Sequence, residues 1–259
     1  MSVFDILKET PKNNCGECGF PTCMAFAAAV HTGTASRAAC PYIDPGQEEE
    51  RDVRPADDPD TALVQELRRK VSGLDLAERA KALGGKMASE GGGDRLKLRY
   101  LGRDIFISAE GVYSEEGREL DPRDQILLYN YLFFGGGKGL SGRWTGLESF
   151  PNSISKVVTL KRYTEDKIAS AFEGRAGELK RQLKAIGGRR IDECHADLCY
   201  EVPVLPMVPI QVHFWDRDED DGFPAKVKVL FDENALSILD IESLIFAAER
   251  MAETLTGQE

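Results

Sequence analysis

The chain has 259 residues, with 33 Lys+Arg against 44 Asp+Glu, a formal charge of −11. Its 42% hydrophobic and 30% charged residues exclude a disordered tail. The acidic balance excludes nucleic acid or anionic membrane as the main partner, since both need basic surface, and no apolar run approaches the roughly 18 residues of a membrane span.

Residues 2–9 read as a short amphipathic helix. Met1-Ser-Val-Phe-Asp-Ile has no basic start, extended apolar stretch or small-residue cleavage site. No export signal is therefore expected, and the protein is expected in the cytoplasm. Four of the six cysteines follow at once: Cys15, Cys18, Cys23 and Cys40, spaced C-x2-C-x4-C-x16-C, with Pro41 next. Without an export signal such crowding points to a metal rather than to disulfides. Zinc ribbons bring two close pairs, each gripping one side of a tetrahedron. Here three cysteines lie within nine residues and a lone fourth arrives later. That suits a cubane cluster, with a structural zinc site as the competing reading. Gly16 and Gly19 permit positive φ and bring backbone N–H groups toward the sulfurs. Pro41 stiffens the exit. An alanine-rich helix is predicted from near Cys23 to Val30, stopped at Gly33-Thr34.

Asp44 to Asp60 carries three prolines and the run Glu48-Glu49-Glu50, the composition of an exposed, self-repelling linker. The predicted organisation is a cluster domain at 1–43, a linker at 44–60 and a larger domain at 61–259. From Thr61 to Met87 apolar residues recur at helical spacing, giving one or two amphipathic helices. Gly91-Gly92-Gly93 breaks the run. Arg95–Leu101 alternates and Asp104–Ser108 follows, a β-hairpin turning at Gly102-Arg103. Asp121-Pro122 opens a buried helix to Phe134. Arg162–Ile186 is a helical stretch closed by Gly187-Gly188; 208–215 and 225–231 read as strands; 241–255 is a final helix. Without a βαβ rhythm, the fold class is α+β: a small cysteine-rich helical module plus a larger α+β domain with an antiparallel sheet.

Other candidate sites each have a bland counterpart. Cys194 and Cys199, with His195 between them, could supply two or three ligands or a redox-labile thiol pair. Read on a helix, a five-residue step puts them on different faces, and small buried residues are the simpler account. The loop Phe134–Trp144 holds five glycines with Lys138 and Arg143, and could wrap a carboxylate through its N–H groups or act as a mobile connector. Asp216–Gly222 packs five carboxylates, either a cation site or a solvated hairpin loop. His213, on the predicted strand ending Phe214-Trp215, could ligate cobalt or act as an acid–base group, or simply face solvent or the sheet edge. His31 reads as a core or surface residue. No catalytic constellation is recognisable by spacing, so catalytic residues stay unassigned.

The stretch Pro11–Ala27 closed by Cys40-Pro41 resembles the small [4Fe-4S] domain of the corrinoid/iron–sulfur protein large subunit and of the B subunit of the Rnf complex. That resemblance implies Cys15, Cys18, Cys23 and Cys40 as ligands of one [4Fe-4S] cluster. In the corrinoid protein such a domain returns inactive cobalt to its nucleophilic state. From about residue 75 the chain also resembles an uncharacterised domain family of anaerobic bacteria and archaea, through Ile126–Leu132, Gly142-Arg143-Trp144, Pro206–Pro209 and Phe223-Pro224-Ala225. No chemistry comes with that likeness.

The expected function is one-electron transfer. A four-thiolate cubane carries two negative charges oxidised and three reduced, and acidic surroundings disfavour the added electron, so a low potential follows. An electron carrier or accessory protein with a redox partner is expected rather than an enzyme. The alternatives are a corrinoid- or other cofactor-binding enzyme activated by its cluster, and a binding module whose cluster is structural or sensory.

Overall fold

The computed structural model describes residues 3–31, 35–43, 59–88, 95–218 and 221–257. The predicted stop at Gly33-Thr34, most of the linker, Gly91–Gly93 and two residues of the acidic loop lie outside them. The chain divides into two compact units, 1–63 and 64–259.

The described residues of the first unit include helices α1 (Val3–Glu9) and α2 (Cys23–His31) and a 3-10 turn at Arg37–Ala39. Among its described residues Ile6, Cys23, Phe26, Ala27, Cys40 and Ile43 are buried, and Cys18, Phe20, Val30 and Ala35 pack against the cluster of Phe26, Cys40 and Ile43. The Phe20 and Phe26 rings meet edge to face at 5.8 Å. In domains this short a metal is a usual supplement to the apolar core.

The second unit is α+β and carries two antiparallel sheets. Helix α3 (Pro59–Val71), whose first residues belong to the first unit, buries Val64, Leu67 and Val71. Asp75 caps α4 (Leu76–Ala82) through the N–H groups of Ala77 and Glu78. Met87, predicted as helical, lies instead in β1 (Lys86–Ala88). Strands β2 (Arg95–Tyr100), β3 (Arg103–Ile107) and β4 (Val112–Ser114) complete a sheet in the order β1-β2-β3-β4. The predicted hairpin is present, with its turn one residue earlier, at Leu101-Gly102. Both residues have positive φ, +45° and +77°, as a twist-matched two-residue turn requires. A Cβ on Gly102 would meet the Ile186 backbone at 2.8 Å, so only glycine fits.

Asp121 accepts the Arg123 N–H to cap α5 (Pro122–Phe134), with Pro122 in its first turn. The predicted helix 162–186 divides in the structure. α6 (Ile154–Leu160) and α7 (Asp166–Phe172) are joined by a π turn at Lys161–Glu165, and α8 (Ala176–Ala185) starts after Gly174. The second sheet has the order β5-β9-β8-β7-β6, with β5 (Trp144–Thr145), β6 (Arg189–Arg190), β7 (Leu198–Leu205), β8 (Val208–Trp215) and β9 (Lys226–Asp232). β7 was not predicted, because Pro203 interrupts an otherwise strand-like run. β5 pairs with β9 only at Phe231 and Asp232. Beyond that point Glu165, on the π turn, accepts the Val229 N–H at 3.0 Å and covers the open edge.

The final helix, α9 (Ile241–Thr256), is capped by Asp240 and buries Leu244, Ile245, Ala248, Met251 and Leu255. Its Arg250 reaches into the core and grips Asp124 of α5 with two bonds, Nε to Oδ1 at 2.7 Å and Nη2 to Oδ2 at 2.9 Å. Tyr100 donates to the same carboxylate at 2.6 Å. No described helix is long and apolar enough to cross a membrane.

Candidate iron–sulfur centre

The N-terminal cysteines sit on a loop built for tight turns. Lys12, Asn14, Gly16 and Gly19 all have positive φ, and the Gly19 N–H donates to Gly16 carbonyl at 2.9 Å. Asn14 tolerates the left-handed region because its side chain bonds locally, here accepting the Cys23 N–H at 2.9 Å. Asn13 accepts the Cys15 N–H. Cys23 opens α2, where Thr22 accepts the Ala25 N–H. Cys40 ends the 3-10 turn that Ser36 caps, its N–H donating to the Arg37 carbonyl at 3.2 Å.

Cys23 and Cys40 are buried, Cys18 is half-buried and Cys15 is exposed. Each has its own polar or apolar surroundings. Cys18 and Cys40 belong to one apolar cluster. Tyr42 donates to Glu17 at 2.9 Å, which raises its pKa; the charges of Cys15 and Cys40 add to the effect. Hydrogen bonding from the Asn14 backbone lowers the pKa of the Cys23 thiol against the opposing pull of burial, with the Thr10 hydroxyl and the Lys12 and Asn13 backbone adding to it. Donors aimed at a sulfur favour thiolate, the form that binds metal.

The later candidates resolve differently. The segment holding Cys194 and Cys199 is not helical: Cys194 lies in the loop before β7 and Cys199 on β7. The expectation of separate faces therefore fails, and the two sulfurs are joined as a disulfide, with the Cα atoms 6.2 Å apart. His195 between them is exposed. His213 is not at a sheet edge; it lies on the middle strand β8, directly opposite Cys199. One ring nitrogen of His213 and the sulfurs of Cys194 and Cys199 lie within 4.8 Å of one another. Burial lowers the His213 pKa. Spacing along the chain could not show this trio, since it depends on strand register.

The glycine-rich loop does bind a carboxylate, and it is the protein's own. Asp232, buried at the end of β9, accepts the N–H groups of Ser141 at 3.0 Å, Gly142 at 2.8 Å and Asn234 at 2.8 Å. Asn234 and Ser237 hold the carbonyls of Gly139 and Lys138. Burial raises the Asp232 pKa, but the three N–H groups outweigh it and leave the value below that of an ordinary aspartate. Its stabilising contribution is therefore complete above about pH 4 and is lost as pH falls through the depressed value. Asp232→Ala is expected to cost about 2–4 kcal/mol at pH 7, read from urea midpoints, with the difference from wild type shrinking at pH 3. In the acidic loop, Asp216 accepts the Gly174 N–H at 2.7 Å and the Asp218 N–H donates to Phe223, so its described residues tie down a hairpin connection.

Comparison with known proteins finds two separate matched stretches. A family model described as "Putative Fe-S cluster" matches residues 11–42, and one described as "Domain of unknown function (DUF3786)" matches 75–254. The corrinoid/iron-sulfur protein large subunit of Moorella thermoacetica is 48% identical over 56 residues, 22% of this chain and 13% of that protein. The acetyl-CoA decarbonylase/synthase complex subunit gamma 2 of Methanosarcina mazei is 36% identical over 84 residues, 32% of this chain and 17% of that protein. The gamma subunit of the same-named complex in Methanocaldococcus jannaschii is 43% identical over 44 residues, 17% of this chain and 9% of that protein. The chain thus spans 9 to 17% of the length of these relatives. No solved structure matches. The N-terminal unit is an iron–sulfur module, and the chain, matched over more than half its length, belongs to the DUF3786 family.

Proposed function

We propose that Cys15, Cys18, Cys23 and Cys40 hold one [4Fe-4S] cluster, and that this cytoplasmic protein carries single electrons at low potential. The acceptor is a partner protein or a ligand of the C-terminal domain. The observation that carries this reading is the Fe–S match over 11–42, which contains all four cysteines in the C-x2-C-x4-C-x16-C order and the closing Pro41. When bound, the cluster supplies one-electron exchange without bond making.

The residues around it suit that use. The N–H groups of residues 12–14 stabilise negative charge on Cys23, and hydrogen bonds to sulfur are one of the determinants of potential. Cys15 is exposed and Cys18 half-buried, which suits access by a docked partner. Membership of two of the relatives in a named complex supports a partner protein. The organisation proposed is the cluster domain at 1–43, a connecting segment at 44–60 and the α+β domain at 61–259. A second reading, that the C-terminal domain holds a corrinoid, draws support from the name of the Moorella relative, though the shared stretch is only 13% of that protein.

An anaerobic redox titration followed by electron paramagnetic resonance tests the proposal. Reversible uptake of one electron is expected, with a midpoint in the negative part of the roughly −700 to +450 mV span of such clusters. A centre that dithionite cannot reduce, or that breaks down when reduced, would leave only a structural or sensory role.

A further inference from the structure

We propose that, with its two thiols reduced, the trio Cys194, Cys199 and His213 forms a second metal site, which takes one zinc ion independently of the N-terminal cysteines. The three ligand atoms already lie within 4.8 Å of one another. Zinc bonds of about 2.3 Å to sulfur and 2.0–2.1 Å to nitrogen place tetrahedral ligand atoms roughly 3.4–3.8 Å apart, so small side-chain adjustments close the set on one ion. Two thiolates and an imidazole are a soft donor set, which suits zinc and not calcium or magnesium.

The fold fixes each ligand separately. Cys199 and His213 are directly opposed on β7 and β8, two central strands whose other face is core: Tyr200, Val202, Val212 and Phe214 are fully buried. Cys194 is held by its own loop, where the Ala196 N–H donates to its sulfur at 3.3 Å. His213 Nε2 lies 3.0 Å from Gln211 Oε1. In the tautomer whose Nε2–H donates to that oxygen, Nδ1 is the nitrogen free to ligate. A second group fixing the tautomer and ring orientation is the usual companion of a metal-bound histidine. A disulfide alone has no use for it.

The sulfurs are joined in the structure, so the metal form requires reduction. A dithiol reductant gives two electrons and two protons to the Cys194–Cys199 bond and becomes a disulfide itself. Zinc then binds with release of the two thiol protons. Three protein donors leave the fourth tetrahedral position for water or an incoming ligand.

The test uses the full chain with its cluster intact, kept without oxygen. It is reduced with dithiothreitol, freed of it, and dialysed against buffered free zinc, with zinc and iron per chain then measured by mass spectrometry. The expected result is one zinc per wild-type chain and none in Cys194→Ser, with iron equal in both. His213→Ala is expected to weaken zinc binding more than tenfold and Gln211→Ala about tenfold. Cys194 lies in a half-buried loop, so its serine variant is expected to fold; should it not, His213→Ala carries the test. Equal zinc in wild type, Cys194→Ser and His213→Ala would overturn the proposal. So would two cysteines that stay unreactive to thiol reagents after dithiothreitol, the mark of a permanent disulfide.

Discussion

Cys40→Ser is expected to abolish the iron–sulfur centre: iron falls from about four to below one per chain, and visible absorption disappears. The effect is large because Cys40 has two roles. It stands at the Cys-Pro exit of the motif, and its buried side chain forms part of the unit's small apolar core with Phe26 and Ile43. With the four cysteines holding the cluster as proposed, metal bonds contribute to the folding free energy of so short a unit, and losing one ligand is expected to remove cofactor and fold together. Far-ultraviolet circular dichroism should accordingly show loss of the α1 and α2 signal. Unfolding of 64–259 should be unchanged, since that unit has its own extensive core. Cys194→Ser is the control and should keep its iron. Full iron in Cys40→Ser would remove Cys40 from the ligand set.

The largest stability effect is expected at Asp124. This carboxylate is 5% exposed and accepts two bonds from Arg250 and one from Tyr100. The net worth of such a buried pair is small, because both charges were desolvated to form it. Breaking it is another matter: Asp124→Ala leaves the Arg250 guanidinium, 6% exposed, with Glu253 as its remaining anionic partner. A loss of about 3–5 kcal/mol is expected, read from urea unfolding. The double variant Asp124→Ala/Arg250→Met should lose less than the sum of the two single changes, since the stranded charge is gone. A loss under about 1 kcal/mol for Asp124→Ala would mean that the pair is not holding α5 to α9.

What the sequence revealed follows the range of the interactions involved. The iron–sulfur module was legible because its cysteines, glycines and closing proline are local in the chain. So were the Asp121-Pro122 helix start and the hairpin near Gly102, whose signals lie within a few residues. The π turn at 161–165 was not legible, and its consequence, Glu165 covering the edge of β9, joins residues 64 apart. The Cys194–Cys199–His213 trio was hidden for a sharper reason. β7 and β8 are joined through Pro206-Met207, and the register shifts between Pro203 and Leu205. Continued without that shift, the pairing of Leu205 with Val208 would set Cys199 against Phe214. The irregularity sets it against His213 instead. A one-residue slip exchanges every side chain on a face, and prolines on both strands gave no pattern from which to foresee it.

The most direct test of the central claim is iron, acid-labile sulfide, zinc and cobalt analysis of wild-type protein purified without oxygen, with visible spectra before and after dithionite. About four irons and four sulfides per chain and a broad band near ~400 nm that bleaches on reduction are expected for a cubane held by four thiolates. Cobalt with corrinoid bands would add the second reading to the first. A colourless protein with zinc bound in Cys15, Cys18, Cys23 and Cys40, and no iron, would contradict the account.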